Sequence, residues 1–371
     1  MRRLAFALVA LPFVCVAYAC SDDPEETPSG DDAGNGADTS SPNEDSGGDK
    51  PDGSSNLDAN TDSGDGGATE TCVGNPLSAD GGAGDGGPVT VQLTQIAQGS
   101  FLDGPHYVDD FGGVFIYSEV FNQVVRRVQP DGGSNTAVRG TNNNNVLVIG
   151  NGNIGTTLFT AQTGNAQGAI LRSNIADGGD AGTLGIGTAT SPNDLVISKK
   201  GFVYFTDPGY QGGAAYGVYH LLPADGGVTA IGTPGVNARP DGIALSPKED
   251  FLYVSNSDTR TVVKHAVDAN GNVSATSAPV FTATERPVGI AVDSGGNLWV
   301  AESAIDDNTV SGRVEVVDPA GKKWGEILFP TARVTNVAFG GPDNKTVAIT
   351  TEQGATVSGM HVFKTRCSGI R

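Results

Sequence analysis

The chain is poor in the residues that most catalytic chemistries draw on. Its 371 residues include 4 His, 4 Cys, 2 Met and 2 Trp, and aromatic residues make up only 6%. No Cys-x-x-Cys pair occurs, and His220, His265 and His361 stand apart without ligand spacing, so neither a zinc site nor a redox dithiol is written in the sequence. There is no glycine-rich phosphate loop and no Ser-His-Asp nucleophile context. Basic residues are also scarce: 22 Lys and Arg against 42 Asp and Glu give a net charge of -20, with no basic stripe. Nucleic acid is thereby excluded as an expected partner. Amphipathic helical periodicity is absent, and only Leu4 to Ala19 forms a long apolar run, too short for a comfortable membrane span.

What is present begins with that run. Arg2 and Arg3 precede it and small residues lead to Cys20, so residues 1–19 are expected to be a secretory signal. Ala17-Tyr18-Ala19-Cys20 is similar to a bacterial lipoprotein cleavage box, with Cys20 as the lipidated first residue of the mature chain. An ordinary signal ending near Ala19, and hence a secreted protein, is the alternative. Residues 20–88 form a tether rich in Asp, Gly and Ser, and between Ser21 and Pro88 there are seventeen Asp or Glu against one Lys. Such a segment cannot bury enough apolar surface to offset the entropy of ordering, so disorder is expected. Membrane contact is expected only through the lipid anchor of an exported envelope protein. Cys15 leaves with the signal and Cys20 takes the lipid, so Cys72 and Cys367 flank the rest as an even pair. In an oxidising compartment a disulfide is expected between them, with two free thiols at frayed ends as the alternative.

Residues 89–371 carry an internal repeat. SPNDLV from Ser191, RPDGIA from Arg239 and RPVGIA from Arg286 are turns entering strands, about 47 residues apart. Each is followed by a second apolar run: GFVYFTDP, DFLYVSNS and NLWVAES. Weaker copies open at Asp103-Gly104-Pro105, at Asn145 and at Thr335-Asn336, which makes six. The runs are short, rich in Val, Ile, Phe and Tyr, and separated by turn clusters such as Asp131-Gly132-Gly133 and Asn270-Gly271-Asn272. This predicts an all-β fold, a six-bladed β-propeller, with VTVQLTQIA from Val89 as the outermost strand of the last blade. A closed ring of four-stranded blades protects its sheet edges, so a monomer is the default expectation.

The stretches LDGPHYVDDFGGVFIYSE, SPNDLVISKKGFVYFTDPGY, RPDGIALSPKEDFLYVSNS, RPVGIAVDSGGNLWVAE and TNVAFGGPDNKTVAITT, in that order and spacing, resemble the senescence marker protein/gluconolactonase/luciferin-regenerating family. The resemblance spans nearly all of Leu102 to Thr351. It implies a divalent metal on the propeller axis, often calcium, and hydrolysis of lactones or related esters. Where the family has a Glu ligand this chain has Asp103. The family Asn of blade three is present as Asn193, and that of blade four is replaced by Asp241. The family Asp of blade five, ligand and usual catalytic group, is replaced by Val288.

Asp103, Asn193 and Asp241 are therefore the expected metal ligands. They retain two carboxylates and one amide, oxygen donors that suit Ca2+ or another divalent ion. Asp241 is the candidate catalytic base, and Asn193, Asn145 and His106 are candidate substrate contacts. Tyr210 and Tyr216, in the loop after the third copy, are candidate lid residues. Pro-Asp-Gly also makes a turn unaided, so a set of turn residues without metal is the alternative, and Asp207 is read as a turn residue. Two functions follow: a metal-dependent hydrolase of small-molecule lactones or esters on the cell envelope, or an inactive propeller that binds a polar envelope ligand.

Overall fold

The computed structural model describes residues 72–370 apart from 80, 83, 141–146, 165–167, 211–215, 222–226, 232–238, 305–310 and 354–356. The signal, Cys20 and most of the tether lie outside the described residues, as does Asn145. Everything described belongs to one compact unit.

The predicted sheet is observed, as six antiparallel sheets of four strands each. Blade one contains β2 (Leu102–Val108), β3 (Val114–Glu119), β4 (Val124–Val128) and β5 (Asn135–Gly140). Blades two to five repeat this order, with innermost strands β6 (Leu147–Ile154), β10 (Leu195–Ile197), β14 (Pro240–Leu245) and β18 (Arg286–Val292). Blade six takes β22 (Arg333–Gly340), β23 (Thr346–Gln353) and β24 (Val357–Lys364), and its outermost strand is β1 (Thr94–Gly99). The ring thus closes with the strand expected for it, through pairs such as Thr94↔Val362 and Gly99↔Ser358. The helical content of the described residues is one 3-10 turn, Asp110–Gly112. None of their helices is long and apolar enough to cross a membrane.

Local chemistry explains the hairpins. Gly132 and Gly271 adopt φ of +79°, which the adjoining turns require. Asp131 Oδ1 accepts the Gly133 N–H at 2.9 Å, an Asx turn that closes the β4–β5 hairpin. Apolar alternation places side chains between blades: Trp299, fully buried on β19 (Leu298–Ala304), packs against Phe339 and Phe363 of blade six.

The ordered body reaches back to Cys72, farther than the boundary expected at residue 89. Cys72 and Cys367 are joined as a disulfide with Cα atoms 5.4 Å apart. Pro88 bridges to Glu326, Thr365 Oγ1 donates to the Pro76 carbonyl at 2.9 Å, and Leu77 packs on the core shared by blades five and six. These contacts hold what composition alone assigns to the tether.

Candidate functional site: the axial cavity

Every innermost strand starts near the axis, and in five of the six its pairing slips just inside that start, as between Asp103 and His106 or between Pro240 and Ile243. Such bulges turn one side chain toward the axis before the strand resumes its alternation. Successive strands meet so closely that some positions admit no side chain. A Cβ on Gly242 would lie 2.0 Å from the Val288 carbonyl oxygen, and one on Gly104, at φ +55°, would lie 2.2 Å from that of Ile149. The glycine of the Asp-Gly turn is therefore required by packing.

Hydroxyl groups on the second strands tie neighbouring entrances together. Thr206 Oγ1 donates to the Asp241 carbonyl at 2.5 Å, and Ser255 Oγ to the Val288 carbonyl at 2.6 Å. Thr335 Oγ1, on β22, closes the circle onto the Leu102 carbonyl at 2.6 Å.

The result is an axial cavity of about 500 Å3 at the entrance end, lined by Asp103, Ile149, Asn193, Asp241, Val288 and Thr335, one from each blade. Asp103, Asn193 and Asp241, separated by up to 138 residues in sequence, share this cavity and are all buried. His106 does not join them. Directly after the bulge its ring points to the other end of the axis, where it lines a second cavity of about 350 Å3. Its Nε2 lies 2.6 Å from Asn153 Oδ1, and burial lowers its pKa. In blade two, Leu147 and Ile149 face the entrance cavity.

Asp207 anchors a loop. Its Oδ2 accepts the N–H groups of Thr190 and Ser191 at 2.6 and 3.0 Å, and its Oδ1 that of Gly209 at 2.8 Å. Tyr216 sits under the Arg239 guanidinium, 5.5 Å from its ring centroid.

One functional position, Asp194, is not among the candidates the sequence offers, and for Tyr210 the sequence offers a lid but not its partner. Asp194 occupies in blade three the place that Gly104 and Gly242 hold in their blades, and its carboxylate accepts from the N–H groups of Leu195 at 3.0 Å and Ile243 at 3.3 Å. Tyr210, a candidate lid, reaches Asp241: its hydroxyl donates to Asp241 Oδ2 at 2.5 Å, and Ser257 Oγ donates to the same oxygen at 3.0 Å. Asp241 Oδ1 accepts no hydrogen bond among the described residues. The Asn-Asp pair of the SPND turn was the available signal for Asp194; Asp241's hydroxyl partners lie too far along the chain for any pattern to reveal.

Burial raises the proton affinity of all three carboxyl groups, and neighbouring carboxylate charge adds to it at Asp103 and Asp194. Burial, with the Asp241 charge adding to it and the Gly104 N–H opposing, brings Asp103 to about 7. Burial and the Asp103 charge bring Asp194 to about 8. Burial also raises Asp241, opposed by the Tyr210 and Ser257 hydroxyls and by the charges of Arg239 and Arg286. Among the described residues no ion pair involves any of the three. Nor do three His, Cys, Asp or Glu groups of the described residues converge closely enough to hold an ion alone. An ion here would draw on the Asn193 amide oxygen together with Asp103 and Asp241. Buried carboxylates that form no direct ion pair among the described residues, joined by an amide oxygen, fit a hard divalent cation such as calcium.

A family profile described as SMP-30/Gluconolactonase/LRE-like region matches residues 103–353. The chain is 33% identical over 173 residues to the pentonolactonase of Haloferax volcanii, a match covering 46% of this chain and 56% of that protein. It is thus matched over about half the length of that relative. Among solved structures, the gluconolactonase of Xanthomonas campestris superposes with a TM-score of 0.62 at 21% identity, covering 80% of this chain and 96% of the other. The calcium-binding regucalcin of Agrobacterium tumefaciens gives 0.61 at 15% identity, covering 76% and 96%.

Proposed function

This chain belongs to the SMP-30/gluconolactonase/LRE-like family, and on that premise we propose that it hydrolyses lactones or related esters in the entrance cavity. The observation that carries the reading is the placement of Asp103, Asn193 and Asp241 around one axis, with Asp241 Oδ2 held by two hydroxyls and Oδ1 left open. Asp103, Asn193 and Asp241 would hold a divalent cation, Ca2+ by the hardness of the donors, and a bound cation supplies Lewis acidity toward a substrate carbonyl.

The chain's own residues account for the proton. Asp241 is placed to accept it at Oδ1 from an attacking water whose oxygen bonds to the carbonyl carbon. The Tyr210 and Ser257 hydroxyls fix the carboxylate and keep Oδ2 from competing. As the ring C–O bond breaks, Asp241 returns the proton to the leaving oxygen, and a hydroxy acid departs. Val120, Ile149 and Val288 exclude bulk water from the cavity wall.

Export and tethering to the cell envelope through Cys20 belong to the same proposal, supported by the acidic composition of the tether and by the Cys72–Cys367 pairing.

The experiment is a panel of γ- and δ-lactones followed by acid release, in calcium and in chelator, with the wild type and Asp241→Asn. Turnover is expected to fall by roughly 10^2 to 10^4-fold in the variant. Equal rates in the two proteins would remove Asp241 from the chemistry. Val288 favours a second reading, in which the propeller binds a polar envelope ligand without turning it over; saturable binding with no hydrolysis of any lactone is its signature.

A further inference from the structure

The mouth of the entrance cavity has two unlike halves. Two residues before each axial position the blades place, in order, Phe101, Leu147, Ser191, Arg239, Arg286 and Arg333, and all of these line the cavity. Around the ring this gives an apolar arc from blades one and two and a guanidinium arc from blades four, five and six.

The apolar arc is built up further. Phe121 packs its ring 5.2 Å from that of Phe101 and remains 51% exposed at the rim. Phe101 is held at φ +48°, a left-handed conformation that is strained for a bulky residue. Its N–H is fixed by Ser358 Oγ at 2.9 Å, and its carbonyl accepts the Val120 N–H at 2.9 Å.

On the other arc, Arg239 lies 3.7 Å from Asp258, and Arg333 lies 3.2 Å from Glu352. Partly exposed pairs of this kind contribute little, and each guanidinium carries several further N–H donors. The charge of Arg286 adds to that of Arg239 at Asp241, so the field of this arc reaches the floor of the site.

A neutral, fully hydroxylated ligand would leave the apolar arc and the positive charge of the guanidinium arc unmatched. Bare aromatic and aliphatic surface gains from an alkyl or aryl group, and guanidinium forks match carboxylate, sulfonate or phosphate oxygens. Resting on the hydrolase reading, we infer that the site takes an amphipathic anion: a lactone or ester with an oxyanion group toward Arg239, Arg286 and Arg333 and an apolar group toward Phe101, Phe121 and Leu147.

The test is isothermal titration of the purified protein in chelator with octane-1-sulfonate, ethanesulfonate and octan-1-ol. Octane-1-sulfonate is expected to bind at least about tenfold more tightly than either of the others, since each lacks one of the two contacts. Combining Arg286→Gln with Arg333→Gln should weaken it by about tenfold or more. Phe121→Ala, at an exposed position, should weaken it about fivefold. Equal binding of octan-1-ol, or affinity unmoved in both the arginine and the Phe121 variants, overturns the inference. Because neither metal nor turnover enters the measurement, a chain that hydrolyses nothing still binds octane-1-sulfonate if the ligand class is right. An active lactonase that ignores octane-1-sulfonate sinks this inference alone.

Discussion

Tyr210 and Asp241 are joined hydroxyl to carboxylate at 2.5 Å, from the loop between the second and third strands of blade three to the first strand of blade four. Burial and the neighbouring Asp241 charge hold the Tyr210 hydroxyl protonated, so it donates to the carboxylate. That bond stabilises the charged form of Asp241 and lowers its pKa. In Tyr210→Phe the Asp241 pKa should rise, moving the acid limb of the pH–rate profile up by roughly half to one pH unit, the equivalent of a lost hydrogen bond. A limb that stays in place would mean another group limits the reaction.

Val288 stands where a fourth oxygen donor could face the axis, and its side chain packs beside the core of blades five and six. Val288→Asp should tighten calcium binding by roughly tenfold or more, because a further carboxylate joins the donor set. In chelator the same variant should lose about 1–3 kcal/mol, the cost of a buried polar group without a partner. Calcium titration and urea melts of the two proteins separate these effects. Tighter melting in chelator would contradict the placement of Val288 in a desolvated wall.

Glu302 is fully buried on β19; its Oε2 accepts the Glu285 N–H at 2.7 Å, and Glu315 lies beside it. Burial, reinforced by the Glu315 charge, raises its pKa well above the carboxyl range. A carboxyl whose folded pKa exceeds its unfolded value binds its proton more tightly when folded. Its contribution is complete below the unfolded pKa and is lost as pH rises through the folded one. Stability should therefore decline on the alkaline side, and Glu302→Gln, neutral at every pH, should flatten that decline between about pH 5 and pH 9. Parallel denaturation midpoints for the two proteins across this range would refute the assignment.

The Cys72–Cys367 bond spans 295 residues, nearly the whole ring, and lies beside the turn after β18 in blade five, where the Ser294 N–H donates to the Ser368 carbonyl at 2.7 Å. Replacing both cysteines with serine should lower stability by about 2–5 kcal/mol, by freeing the unfolded chain and loosening the docked segment around Pro76 and Leu77. Guanidinium unfolding with and without reductant measures it. A reductant-insensitive wild type would show that the bond contributes nothing.

The residues that punctuate the chain also account for most of its architecture. Repeated Pro-Asp-Gly and Pro-Val-Gly turns followed by β-branched runs determine six blades, their order and the closing strand, because turn chemistry and strand alternation act over a few residues. The same repeat marks Asp103, Asn193 and Asp241 as equivalent positions, and equivalent positions in a ring must share an axis. Tertiary structure alone decided what surrounds them. His106 is near Asp103 in sequence, yet the bulge at Gly104 and Pro105 sends its ring to the opposite cavity. Arg239 and Arg286 belong to quoted copies of the repeat, but only the closed ring aligns them with Arg333 against Phe101 and Leu147. Tyr210 meets Asp241 across a blade boundary, Ser257 reaches it from the end of the neighbouring strand of its own blade, and the charges of Asp103 and Asp241 act on Asp194 from other blades. Those effects depend on distances between segments tens of residues apart, which local periodicity does not encode.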